Sequence, residues 1–148
     1  MSQFEGNAEH SLDAKGRLNI PTRYRDLLSD IYDTDVIKVI RWENCLRAYP
    51  LPEWNDLMRR LESESVQHPQ RRNLVRHLIS TVSECLMDKQ GRILLPPQLR
   101  TMAGIDKDVV VSGYKEHFEI WDRTAWQREF TEVDYKIFEE VLDEAGLL

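Results

Sequence analysis

The sequence predicts a mainly β chain with peripheral helices, folded as two copies of one internal unit about a pseudo-two-fold axis. Three observations carry that prediction. The ten residues Leu12-Asp13-Ala14-Lys15-Gly16-Arg17-Leu18-Asn19-Ile20-Pro21 are matched, 75 positions later, by Met87-Asp88-Lys89-Gln90-Gly91-Arg92-Ile93-Leu94-Leu95-Pro96. The match also preserves order: Arg25 aligns with Arg100, Val36 to Val39 with Val109 to Ser112, Leu46 to Tyr49 with Phe118 to Trp121, and Trp54 with Trp126. Finally, no low-complexity stretch or Gly/Ser linker separates the copies, and 148 residues with 41% hydrophobic content suffice for one compact unit. A chain of that size removes roughly 70% of its unfolded surface from water, so folding needs neither a disulfide nor a metal staple.

The elements follow in order. The first copy spans 5–55 and the second 81–127, with a helical connector over 56–80 and an amphipathic acidic helix over 128–148. In each copy an alternating or apolar stretch leads into Asp-x-x-Gly-Arg, whose Gly16 or Gly91 can take the left-handed backbone of a tight hairpin. The strand then resumes until Pro21 or Pro96 removes a ladder donor. A short helix comes next, Thr22 to Ser29 with Tyr24, Leu27 and Leu28 at helical spacing, and Gln98 to Met102 ended by Gly104. A second hairpin runs from Val36 to Arg41 and back from Cys45 to Tyr49, and its counterpart from Val109 to Ser112 and back from Phe118 to Trp121. A helix closes each copy, started by Pro52 in the first and capped by Asp122 or Thr124 in the second. In the connector Leu74, Val75, Leu78 and Ile79 form an apolar stripe, with Arg72 and Arg76 on another face and Arg71 nearby. The C-terminal helix repeats the pattern with Val133, Ile137, Phe138, Val141 and Leu142.

Several function classes are excluded at this level. The longest apolar runs, such as Ile93-Leu94-Leu95, fall far short of the roughly 20 residues a membrane helix needs. The start Met1-Ser2-Gln3-Phe4-Glu5-Gly6 lacks the basic and apolar segments of a secretory signal, which predicts a cytoplasmic protein. Cys45 and Cys85, in different halves, read as reduced structural thiols. The formal charge of −6 argues against a nucleic-acid partner, but its distribution is uneven. Thr131 to Leu148 alone carries −5, leaving −1 for residues 1–130, where a basic face can segregate.

Two roles fit the duplicated Asp-x-x-x-Arg. In one, Asp13 or Asp88 accepts backbone N–H bonds in its turn and pairs with its own arginine, fixing the turn and nothing more. In the other, the turns project Lys15, Arg17, Lys89 and Arg92 toward phosphates and base edges, a task suited to the planar arginine fork. His10, His68, His77 and His117 lack the spacing of a metal site, and no nucleophile, phosphate-loop or dinucleotide motif is present, so neither cofactor nor catalysis nor small-molecule substrate is expected. Trp42, Trp54, Trp121 and Trp126 occupy matching strand and helix ends and read as core or seam residues rather than base-stacking platforms.

These segments resemble the MraZ family of bacterial transcriptional regulators, relatives of AbrB-type DNA-binding domains. The resemblance covers nearly the whole chain. It rests on LDAKGRLNIP with Arg23-Tyr24-Arg25, on YPLPEW from Tyr49 to Trp54, on Ser83 to Cys85, on MDKQGRILLP, and on FEIWD from Phe118 to Asp122. It implies a double-split, swapped-hairpin AbrB-like β-barrel, a ring-shaped homo-oligomer, and binding to GTG-containing direct repeats in double-stranded promoter DNA. It further implies DNA contact by the motif arginines Arg17 and Arg92 and by the neighbouring Lys15 and Lys89, with Asp13, Gly16, Asp88 and Gly91 shaping the turns. The sequence departs from an even repeat where Gln90 aligns with Lys15 and the lysine moves to Lys89, so the two turns are expected to contact DNA unequally.

The function implied is repression of the division and cell wall gene cluster by a cytoplasmic, nucleoid-associated protein that occludes RNA polymerase. Weak basic turns repeated around a ring would gain affinity through effective concentration. The alternative is a protein-binding module such as a MazE-like antitoxin, whose acidic tail covers a toxin.

Overall fold

The computed structural model describes residues 3–130 and 134–147, apart from the side chain of Ser65. Among the described residues, eight strands and six helices follow the duplicated frame. The first copy contributes β1 (Asn7–Ser11), β2 (Arg17–Asn19), α1 (Thr22–Asp30), β3 (Val36–Trp42) and β4 (Cys45–Pro50), then α2 (Leu51–Gln67). A single 3-10 turn (Pro69–Arg71) and α3 (Arg72–Thr81) lead to the second copy, β5 (Ser83–Leu86), β6 (Arg92–Leu94), α4 (Pro97–Met102), β7 (Asp108–Tyr114), β8 (His117–Asp122) and α5 (Arg123–Phe130). The chain closes with α6 (Tyr135–Glu144). Of the C-terminal stripe expected above, Val133 lies outside the described residues.

The helices start and stop for local reasons. Proline stands immediately before α1 and within the first turns of α2 and α4, where a missing N–H costs nothing. Tyr24, Leu27 and Leu28 are the buried face of α1, as their spacing predicts. Asp122 accepts from the Ala125 N–H at 3.4 Å and so caps α5, while Asp134 accepts from the N–H groups of Lys136 and Ile137 and caps α6.

All ladders are antiparallel. Six strands form one sheet in the order β1-β7-β8-β4-β3-β5, and β2 and β6 form a separate ribbon. Exchanging each strand for its counterpart in the other copy returns the same two orders read from the other end. At the centre of the large sheet Arg47 faces Glu119, and at the centre of the ribbon Leu18 faces Ile93; both are pairs of aligned positions. A perfect repeat would set arginine against arginine at the first of these, whereas here the Arg47 Nε lies 3.7 Å from a Glu119 carboxylate oxygen.

This topology corrects the local reading of Asp-x-x-Gly-Arg as the turn of a hairpin. The flanking strands do not pair with each other: β1 pairs with β7, and β2 with β6, each across the copies. The same holds at the second motif, where β5 pairs with β3. Only the turn's own closure is local, with Asp13 N–H donating to Arg17 O and Gly16 N–H to Asp13 O. Ladder pairing among the described residues closes no barrel, since β1 and β5 stand at the two edges of the six-stranded sheet.

The main core lies between the large sheet, the ribbon, α1 and α4, and draws on both copies through Leu18, Ile20, Leu28, Ile37, Ile93, Leu95, Val109 and Ile120. At its centre Phe4 packs edge-on to Tyr24, 5.1 Å between centroids, and 5.3 Å from Phe118. Tyr24 donates its hydroxyl to the carbonyls of Glu5 and Gly6, which ties the N-terminal segment to α1. A second cluster, Ile40, Tyr49, Trp54 and Leu78, seats α2 and α3 on the sheet. Cys45 and Cys85 are both buried and unbridged, and burial pushes their thiols up, to about 12 and about 11.

Candidate nucleic-acid interface

The ribbon joins the two signature turns into one surface. Its register sets Arg17 opposite Leu94, Leu18 opposite Ile93 and Asn19 opposite Arg92. Side chains alternate across a strand, so Leu18 and Ile93 enter the core while Arg17, Asn19, Arg92 and Leu94 share the outer face. The ladder extends into both turns. Leu95 N–H donates to the Gly16 carbonyl at 3.0 Å, and Ile20 N–H to the Gly91 carbonyl at 2.9 Å. Each turn is therefore held by the strand of the other copy.

Within a turn the aspartate organises everything. Asp13 Oδ1 accepts from the N–H groups of Lys15 and Arg17, both at 2.9 Å, and Oδ2 accepts from Arg17 Nε at 2.5 Å. Asp88 repeats this with Gln90 at 2.9 Å, the Arg92 N–H at 3.0 Å and Arg92 Nε at 2.9 Å. Backbone donation from Arg17, together with its guanidinium and the Lys15 N–H, holds the Asp13 carboxyl down to about 2; the Arg92 backbone and guanidinium lower that of Asp88 in the same way. Gly16 and Gly91 adopt φ of 85° and 78°, conformations that favour glycine. The bracing role of Asp-x-x-x-Arg is thus present in the fold. It consumes the Nε of each arginine, and the terminal Nη nitrogens of Arg17 and Arg92 have no partner among the described residues.

Lys15 and Lys89 are exposed on the turns, as is Gln90. Two further cations stand beside them. A Cβ placed on Gly16 would lie 2.8 Å from Arg100 Cζ, and one placed on Gly91 would overlap Arg25. Arg100, from α4 of the second copy, lies over the first turn; Arg25, from α1 of the first copy, lies over the second. Arg100 Nε donates to Leu95 O at 3.1 Å and Arg25 Nη2 to Thr22 Oγ1 at 2.8 Å, so both are fixed. The ribbon thereby gathers six basic side chains (Lys15, Arg17, Arg25, Lys89, Arg92 and Arg100) against Asp13 and Asp88, on a chain whose overall charge is −6. Sequence reasoning aligned Arg25 with Arg100 but gave them no role; the signal was their conserved offset from the two motifs, and the crossing that brings them to the turns is not local.

The other charged and aromatic residues fall elsewhere. Trp54 and Trp121 are buried, and Trp42 and Trp126 partly so. Arg71 pairs with Glu64, and Arg76 donates to Asn73 at 3.4 Å. His117 is buried between Tyr49 and Tyr114, with centroids at 4.7 and 5.1 Å, and burial, aided by Arg47, lowers its pKa to about 4. Among the described residues no three His, Cys, Asp or Glu side chains are grouped to hold a metal ion, and no helix is long and apolar enough to cross a membrane. On α6, Ile137, Phe138 and Val141 are exposed and no residue is buried.

A family model described as "MraZ protein, putative antitoxin-like" matches the chain twice, over residues 3–77 and 78–145. A protein of Alkalilimnicola ehrlichii named "Transcriptional regulator MraZ" is 42% identical over 147 residues, covering 98% of each chain. Proteins of the same name from Syntrophobacter fumaroxidans and Escherichia coli K12 are 43% and 41% identical, over 83% and 87% of this chain and 81% and 86% of their own lengths.

Proposed function

Because the chain belongs to the MraZ family, we propose that it is a transcriptional regulator that binds double-stranded promoter DNA through the outer face of the β2–β6 ribbon. The observation that carries this reading is the joining of two braced Asp-x-x-x-Arg turns, with their free Nη donors and flanking lysines, into one basic ribbon on an acidic protein. An exposed two-stranded ribbon is an element the major groove admits, and arginine forks suit both phosphate and the guanine edge. Lys15, Arg17, Lys89 and Arg92 are the contacts, with Asp13, Gly16, Asp88 and Gly91 setting their geometry.

The finer parts of the reading have separate support. Strand orders that survive exchange of the copies, with β1, β2, β5 and β6 all pairing across them, support one compact unit with a swapped pseudo-two-fold repeat. The unburied apolar stripe of α6, with Leu74 and Ile79 of α3, favours assembly of copies into a ring. A ring would seat several ribbons on direct repeats near the promoters of the division and cell wall genes. It would repress by occluding polymerase, in the cytoplasm at the nucleoid. No cofactor or catalysis enters this reading.

Arg17→Ala tests it. The substitution is expected to abolish preferential binding to the DNA upstream of the protein's own gene, measured against scrambled duplex across a salt series, while sedimentation shows assembly unchanged. Loss of assembly together with binding would make Arg17 a bracing residue only.

A further inference from the structure

The ribbon's framework is symmetric but its outer face is not. Asn19 and Leu94 are aligned positions, the third residues of β2 and β6, and both are exposed, Leu94 at 54%. The register places the Asn19 amide beside Arg92 and the Leu94 side chain beside Arg17. Cross-strand neighbours have Cβ atoms roughly 5 Å apart, so each forms a two-residue reading unit with the arginine it faces. One end of the ribbon thus offers a guanidinium and an amide, the other a guanidinium and a branched hydrocarbon.

These two units are chemically distinct readers of base edges. An amide can bond adenine N6 and N7 together, whereas an aliphatic side chain makes apolar contact with the thymine methyl and cannot satisfy a polar edge. Asn19 and Leu94 are two residues apart along the strands, about 7 Å, which is close to two base-pair steps. The aspartates and glycines that fix the backbone are the same in both turns, so the difference lies in what the face presents and not in how it is held.

We infer that Asn19 and Leu94 are specificity-determining residues, each reading a different part of the recognised sequence together with the arginine it faces. The inference rests on the DNA-binding reading above. It predicts that the two halves of the recognised sequence are read by different residues: the half at Arg92 by Asn19, and the half at Arg17 by Leu94.

The test is selection from a library of duplexes with a randomised core, using the full-length protein, N19L and L94N. Both positions are exposed, so both variants should fold; unchanged thermal unfolding and sedimentation confirm it. The wild-type protein is expected to enrich a sequence above the starting library. N19L should reduce base preference in one half only, and L94N should alter the opposite half only, each by roughly tenfold at the affected base pair. If the wild-type protein enriches a sequence and both variants enrich the same one, or both alter the same half, the inference is overturned while DNA binding stands. If the wild-type protein enriches nothing above the starting library, the DNA-binding reading falls and the inference with it.

Discussion

The two signature turns share a skeleton and differ in what they expose. In both, an aspartate takes two backbone N–H groups and its own arginine, a glycine sits left-handed, and an arginine from the other copy covers that glycine. Outside that skeleton the first turn carries Ala14 and Lys15, and the second Lys89 and Gln90, beside Leu94 and Asn19 respectively. The repeated residues therefore set the geometry of both turns, with each motif arginine bracing through its Nε, and the divergent residues change what each end exposes.

The largest effects should come from breaking the shared skeleton. Gly16→Ala and Gly91→Ala each force an L side chain into a left-handed backbone and push aside the covering arginine, and each is expected to cost about 2 kcal/mol in urea unfolding. Equal losses would mark the skeleton as symmetric in energy as well as in shape. A much smaller loss at one turn would show that its covering arginine yields.

Acid should act on the skeleton next. The stabilisation from Asp13, whose carboxyl is lowered to about 2, is complete above its unfolded value near 4 and is lost as pH falls through about 2. Asp13→Asn should flatten this acid limb in unfolding measurements, and Asp88→Asn should act with the same sign. His117 gives an independent limb, because its neutral form is favoured by burial down to about 4. Stability should decline as pH drops from about 6.5 to about 4, and His117→Phe should remove that decline.

The smallest changes should come from exposed lysines. Lys15→Ala and Lys89→Ala are each expected to lower the slope of log affinity against log salt by about 1 with little effect on stability. Gln90→Lys should raise it by a similar amount. Slopes that respond at one turn only would sharpen the contrast between the two ends.

Much of this was legible in the sequence wherever the signal was local. The burial of Tyr24, Leu27 and Leu28 followed from a helical period, and both β3–β4 and β7–β8 followed from apolar runs with short gaps. The partners of β1, β2, β5 and β6 were not legible as local pattern, because their ladders join the two copies and a short strand's pattern does not name its neighbour. For the same reason Arg25 and Arg100 could be aligned but not placed. The Asp-x-x-x-Arg motif admitted two roles from sequence, and the geometry shows why: bracing uses Nε and leaves the Nη groups of the same arginine available for contact.

The crossed ladders also set a timetable for synthesis. Asn7 pairs with Ser112, so β1 leaves the ribosome about 100 residues ahead of the strand that will cover it. At 5–20 residues per second that is roughly 5–20 s during which an edge strand waits unpaired. The first copy cannot complete itself in that interval, since the β6 ladder that holds its turn belongs to the second. Folding must then close loops of about 75 residues before the ribbon exists, a high-contact-order route that exposes nascent chains to one another. Chains emerging side by side from one message could exchange these strands before each finds its own.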